Sequence, residues 1–144
     1  MENNILKLLK NDLQEYSSKK IMNLNEDSIN YGLRLTEEDV EEIMKSMDEA
    51  LKRTGRIETS TNSLEKIIKF LYSSPYTDKD NYVEVIDDMV EIFYFFKSQV
   101  LDLMSDDEVI EILDEVYNDK CGEIFQIQGF VEEYTKEFKF EREF

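Results

Sequence analysis

The sequence predicts an all-α single domain: a bundle of five or six helices around a central hydrophobic helix. Three observations carry that expectation. Four Gly and one Pro in 144 residues leave little material for hairpin turns or long linkers. Apolar residues recur near every 3.6 positions rather than alternately. Hydroxyl residues followed by acids stand at the start of several such stretches. The chain has the length of one ordinary domain, able to bury roughly two-thirds of its unfolded surface. Nine Phe and eight Tyr give it the material for a core.

The first helix is expected from about Asn3 to Ser17, with Ile5, Leu6, Leu9, Leu13 and Tyr16 forming its apolar side. A short helical turn over Asp27 to Tyr31 stops at Gly32. Thr36, followed by Glu37, Glu38 and Asp39, is an N-cap hydroxyl before three acids that complement the positive end of a helix. Val40, Ile43, Met44, Met47 and Leu51 then form an apolar stripe, and Gly55 closes the helix. Glu41–Lys45, Asp48–Lys52 and Glu49–Arg53 are favourably spaced ion pairs along it.

After a connector over Arg56 to Asn62, a shorter helix starts near Ser63 and turns Leu64, Ile67, Ile68 and Leu71 inward. Ser73-Ser74-Pro75 ends it. Thr77 followed by Asp78, Lys79 and Asp80 reads as another N-cap, opening the longest helix, to about Leu103. That helix is expected at the centre, because its apolar positions spread around much of its circumference. Ser105-Asp106-Asp107-Glu108 is a capping box that starts a helix to about Tyr117. The last segment carries Ile124, Phe125, Ile127, Phe130, Val131, Tyr134 and Phe138 at helical spacing, with a kink or an interruption expected at Gly129. Phe138, Phe140 and Phe144 imply a tail packed back on the bundle, or one docked on a second subunit as a homodimer.

The balance of 17 Lys and Arg against 34 Asp and Glu sets a formal charge of −17. Such a chain repels phosphate backbones and anionic membranes, so neither direct nucleic-acid binding nor membrane association is expected. The absence of His removes the commonest general base and neutral metal ligand. Asp78-x-Asp80 begins like a calcium loop. However, Val83 stands where that loop needs Gly and Met89 where it needs a bidentate Glu, so neither metal nor cofactor is expected. Cys121 cannot form an internal disulfide and reads as an incidental thiol. The N-terminus lacks the apolar stretch of a signal peptide, and the longest apolar run, Ile92 to Phe96, is too short for a bilayer. The expectation is a cytoplasmic protein.

The least balanced stretch lies between Lys97 and Lys120, where Asp102, Asp106, Asp107, Glu108, Glu111, Asp114, Glu115 and Asp119 occur without a single cation. With Val109, Ile112, Leu113 and Val116 directed to the core, Glu108, Glu111 and Glu115 share the opposite side of their helix. They are the candidate docking residues for a basic protein partner; the plainer reading is a solvated helix face. Arg34 and Arg56, in connectors near acid-rich helices, are most simply explained by intramolecular salt bridges, with a bidentate anion site as the alternative.

The motifs Leu33-Arg34-Leu35-Thr36, Thr54-Gly55-Arg56-Ile57-Glu58, Ser74-Pro75-Tyr76, Phe93-Tyr94-Phe95-Phe96-Lys97 and Leu103-Met104-Ser105-Asp106-Asp107-Glu108 together resemble an uncharacterised family of small bacterial domain-of-unknown-function proteins. The likeness covers most of the chain beyond Leu24. It implies a small helical domain and brings no activity or ligand with it.

Three functional expectations follow. The first is a cytoplasmic, non-enzymatic interaction or accessory module with an acidic docking face. The second is a nucleic-acid mimic that blocks a DNA- or RNA-binding protein. The balanced first quarter of the chain, with five acids and five bases through Leu35, argues against mimicry over the whole surface. The third is an enzyme working through carboxylates, Tyr or Arg alone.

Overall fold

The computed structural model describes residues 2–142; in the first helix it describes the side chains of Ile5, Leu8, Leu9 and the residues from Asp12 onward. Seven α-helices follow in order: α1 (Glu2–Asn23), α2 (Asn25–Ser28), α3 (Glu37–Arg53), α4 (Asn62–Tyr72), α5 (Tyr82–Gln99), α6 (Asp106–Asp119) and α7 (Ile124–Glu141). A 3₁₀ turn over Ile29–Tyr31 continues the four-residue α2, so six long helices make up the domain, with no strand among the described residues.

Helix α5 occupies the centre, packed most extensively on α3 and also on α4, α6 and α7. Its buried positions, Val85, Ile86, Met89, Val90, Ile92, Phe93, Tyr94 and Phe96 among them, face several neighbours, as their spread around the helix predicts. They belong to one hydrophobic core that runs from Ile21 to Phe138. The inward stripes of α3 and α4 are buried as read, except that Met44 is only partly covered. On α6, Ile110 is buried in the core, whereas Ile112 packs at its margin.

Two of the three expected N-caps form. Thr36 and Ser105 each accept a hydrogen bond from the backbone N–H three residues on, while Asp39 and Glu108 reach back to the cap residue's own N–H. Thr77 does not cap α5: its hydroxyl is 2.8 Å from the Tyr117 hydroxyl instead. Asp78 then accepts from the N–H groups of Asp80 and Asn81, while Asn81 accepts from that of Asp78. This closed turn delays the helix to Tyr82. The far end also stops early, at Gln99, so α5 has 18 residues and α1, with 22, is the longest helix. Gly129 does not interrupt α7, which runs unbroken through it, and a side chain there would meet nothing.

The largest departure is α1. It extends to Asn23, and its core contacts come from Ile21 at its far end, with Leu24 just beyond. Ile5, Leu9, Leu13 and Tyr16, expected inside, are exposed; the Leu6 side chain lies outside the described residues. In the tail, Phe138 is buried and Phe140 is exposed, while Phe144 lies outside the described residues.

Helices α3, α5 and α6 end alike, with the N–H of the residue three beyond the helix donating to the carbonyl three from its end: Arg56 to Leu51, Asp102 to Lys97 and Gly122 to Tyr117. This geometry needs a left-handed residue, supplied by Gly55 after α3 but by Leu101 and Cys121 after α5 and α6. Gly122 is also left-handed, and a Cβ there would lie 2.9 Å from Tyr76 Cβ and 3.3 Å from the Tyr117 hydroxyl. Gly122→Ala is therefore expected to lower the unfolding free energy by about 2–3 kcal/mol, from backbone strain plus a clash that rigid neighbours cannot relieve. Gly55→Ala, with open space around it, should cost about 1 kcal/mol. Urea unfolding of both variants checks the order.

Candidate functional site

The acid-rich stretch after α5 divides into two parts that differ in their surroundings. Asp102, Asp106 and Asp107 face cations: Arg56 and Lys66 from distant parts of the chain and Lys97 from the end of α5. Arg56, three residues past α3, meets Asp102, three residues past α5, in a two-pronged pair: Nη1 donates to Oδ2 at 2.8 Å and Nη2 to Oδ1 at 2.7 Å. Two helix ends are thereby clasped to each other. Lys97 lies in the last turn of α5 with only 5% of its surface exposed. Its ammonium donates to the Met104 carbonyl at 2.6 Å and stands 2.9 Å from Asp106 Oδ1 and 3.5 Å from Asp102 Oδ1. Ser63 of α4 donates to the other Asp106 oxygen at 2.8 Å, and Lys66 pairs with Asp107 at 2.6 Å.

The electrostatics follow this geometry. The Arg56 hydrogen bonds, helped by Lys97, hold the Asp102 carboxyl below its ordinary range, and the same contact raises the Arg56 guanidinium. At Asp106 burial pushes the pKa up, but the hydrogen bonds from Lys97 and Ser63 outweigh it and the net shift is downward. The cations thus favour the ionised form of both carboxylates. One turn before Lys97, the buried Tyr94 hydroxyl has no hydrogen-bond partner, and burial pushes its pKa up.

The second part is the outward face of α6. Glu108, Glu111 and Glu115 are all exposed, in a row about 10 Å long. Glu108 differs from the other two because its Oε1 accepts from Ser105 in the capping box. Glu111 and Glu115 have no ion-pair partner among the described residues. Burial, with Glu115 next to it, raises the pKa of Asp114, while Asn118 donates to that carboxylate at 2.8 Å. The three candidate residues share one side as expected, and one already has a structural task.

The other singled-out residues scatter. Arg34 is exposed and, unlike Arg56, makes no ion pair among the described residues. Cys121 is exposed in the left-handed turn after α6. Of the three spaced pairs on α3, Glu49–Arg53 closes to 3.8 Å, and Arg53 also reaches Glu91 of α5 at 2.6 Å. The most perturbed carboxyl is Asp87 of α5, raised to about 6 because it is half-buried, with Glu42, Asp88 and Glu49 nearby; Ser46 limits the rise.

An open groove of about 1350 Å³ runs between α1, α3 and the connector after α3. Met22, Met44, Met47 and Leu51 contribute its apolar lining, and the acids along it, Glu15, Glu37, Glu41, Asp48 and Glu58, all keep contact with solvent. Asp87 does not line it. No cluster of three potential metal ligands occurs among the described residues, and no helix there is long and apolar enough to cross a membrane.

Residues 20–144 match the model of DUF6323, a family of unknown function, and the chain belongs to that family. No curated protein and no solved structure matches it.

Sequence reasoning missed Lys97 as the organiser of this region. The available signal was a lone cation closing the apolar run Ile92–Phe96, at a helix C-terminus where positive charge is favoured. Lys97→Met is expected to lower stability by about 2–3 kcal/mol, less than for a fully buried pair because both carboxylates remain partly in water. Arg56→Gln should cost about 1 kcal/mol. Urea unfolding of the two variants tests the ranking, and a larger loss for Arg56→Gln would contradict it.

Proposed function

We propose that this DUF6323 protein is a cytoplasmic, non-catalytic interaction module that docks a basic protein through the outward face of α6. The observation that carries the reading is the division of charge after α5. Asp102, Asp106 and Asp107 are answered by Arg56, Lys97 and Lys66. Glu111 and Glu115, with Glu108 beside them, keep their charge toward solvent on a rigid, capped helix. Exposed charges of one sign steer encounter and set partner preference more than they add raw affinity.

Acids placed on every helix, several of them paired internally, give less support to mimicry of a phosphate backbone than to protein docking. A carboxylate-based enzyme gains little support from a groove in which no acid is buried. The non-catalytic reading also draws on the absence of His from the sequence.

The test compares wild type with the Glu108→Gln/Glu111→Gln/Glu115→Gln variant in affinity capture from lysate of the native source at low and high salt. A basic protein should be retained by wild type at low salt and released as salt rises. The variant should bind it about tenfold more weakly, from about 0.5 kcal/mol per exposed charge. Equal binding by both forms would sink the proposal.

A further inference from the structure

Helix α1 carries its polarity inside out. Ile5, Leu8, Leu9, Leu13 and Tyr16 fall on one helical face and are each 55–63% exposed. Gln14, Ser17 and Ser18 line the groove against α3, together with Leu13 at the edge of the stripe. The helix packs on α3 and α2, and its core anchor, Ile21, is one turn from its end. A surface helix ordinarily turns its apolar stripe toward its own domain. Here the stripe faces water over three turns.

We infer that this outward face of α1 is the surface through which two copies of the chain associate. Area is the first argument. Five large side chains, each more than half exposed, present on the order of 500 Å² of contiguous apolar surface, at the upper end of what monomers leave to solvent. Two copies bring together about 1,000 Å², the threshold for a specific interface.

Charge is the second argument, and it selects a second copy as the occupant. Two bodies of −17 repel each other wherever acidic faces meet. Helix α1 departs from that balance, with Lys7, Lys10, Lys19 and Lys20 against Glu2, Asp12 and Glu15; α4 does so too, with Lys66 and Lys69 against Glu65, but its apolar residues Leu64, Ile67, Ile68, Phe70 and Leu71 are buried. Contact through α1 is the arrangement that seals apolar surface while keeping the acidic faces of the two copies apart. A two-fold pairing places the same stripe on both sides of the seam, so one surface completes itself.

The inference is independent of the α6 docking face, which lies on another helix and draws on charge rather than apolar area. It predicts an unusual salt dependence: screening weakens the repulsion between the bodies but not the seam, so association should strengthen as salt rises. Sedimentation equilibrium of the full chain is expected to show a dimer at concentrations on the order of 50 µM, with a lower Kd in about 0.5 M than in about 0.05 M NaCl. Leu9→Gln/Leu13→Gln should raise Kd at least about tenfold and leave the near-UV circular dichroism of the bundle unchanged. Phe125→Gln/Phe140→Gln, at two residues of α7 that are 86% exposed, serves as the control and should leave Kd as it was. A monomer at both salt concentrations, a dimer that survives the α1 substitutions, or one that is lost on the α7 substitutions would overturn the inference.

Discussion

The ammonium of Lys97, buried at the end of α5, is the constraint on which the arrangement of the bundle depends. A charge taken out of water is costly unless opposite charge and hydrogen-bond acceptors surround it. The chain must therefore bring Asp106, Asp102 and the Met104 carbonyl to it. Doing so fixes where the loop after α5 turns and where α6 begins. Asp106 also takes the Ser63 hydroxyl, and Asp102 takes Arg56, so the ends or starts of α3, α4, α5 and α6 meet in one polar network. Beneath it, Phe93, Phe96, Ile86 and Met89 fill the core, which holds the helices together without itself specifying how their ends meet.

The same network accounts for conformations that the residue types alone disfavour. Leu101 and Asp102 both have positive φ, which ordinarily costs an L-residue roughly 1–2 kcal/mol. The turn persists because Asp102 is held from both ends, by its backbone N–H on Lys97 O and by its side chain on Arg56. Helix α3 stops by the same hydrogen-bond pattern with Gly55 in the left-handed position. One stop is announced by a glycine and the other is imposed by tertiary contacts.

That contrast explains what was legible in the sequence. The caps at Thr36 and Ser105 and the buried stripes of α3 and α4 depend on residues close in sequence, and they form as read except at the partly covered Met44. Thr77 has the composition of a cap, but Tyr117, forty residues away, takes its hydroxyl. The stripe on α1 has the right period for burial, yet periodicity says only that a face is apolar, not which body covers it. On α6 the grouping of Glu108, Glu111 and Glu115 was visible from spacing alone. The pairing of their neighbours was not: Arg56 and Lys66 reach Asp102 and Asp107 from more than forty residues away, and Lys97 reaches Asp106 only because the loop after α5 turns back on it. An acidic run that looks uniform along the chain is thereby divided into a structural part and a part left to solvent.

Native-state hydrogen exchange at the Asp102 and Leu103 amides tests the role of Lys97 most directly. If the buried ammonium locks the end of α5, these two amides, bonded to Lys97 O and Val100 O, open only when the domain unfolds. Their exchange free energies should equal those of the core amides of Phe93 and Phe96. Exchange at free energies near zero, as at an ordinary frayed helix end, would contradict the account.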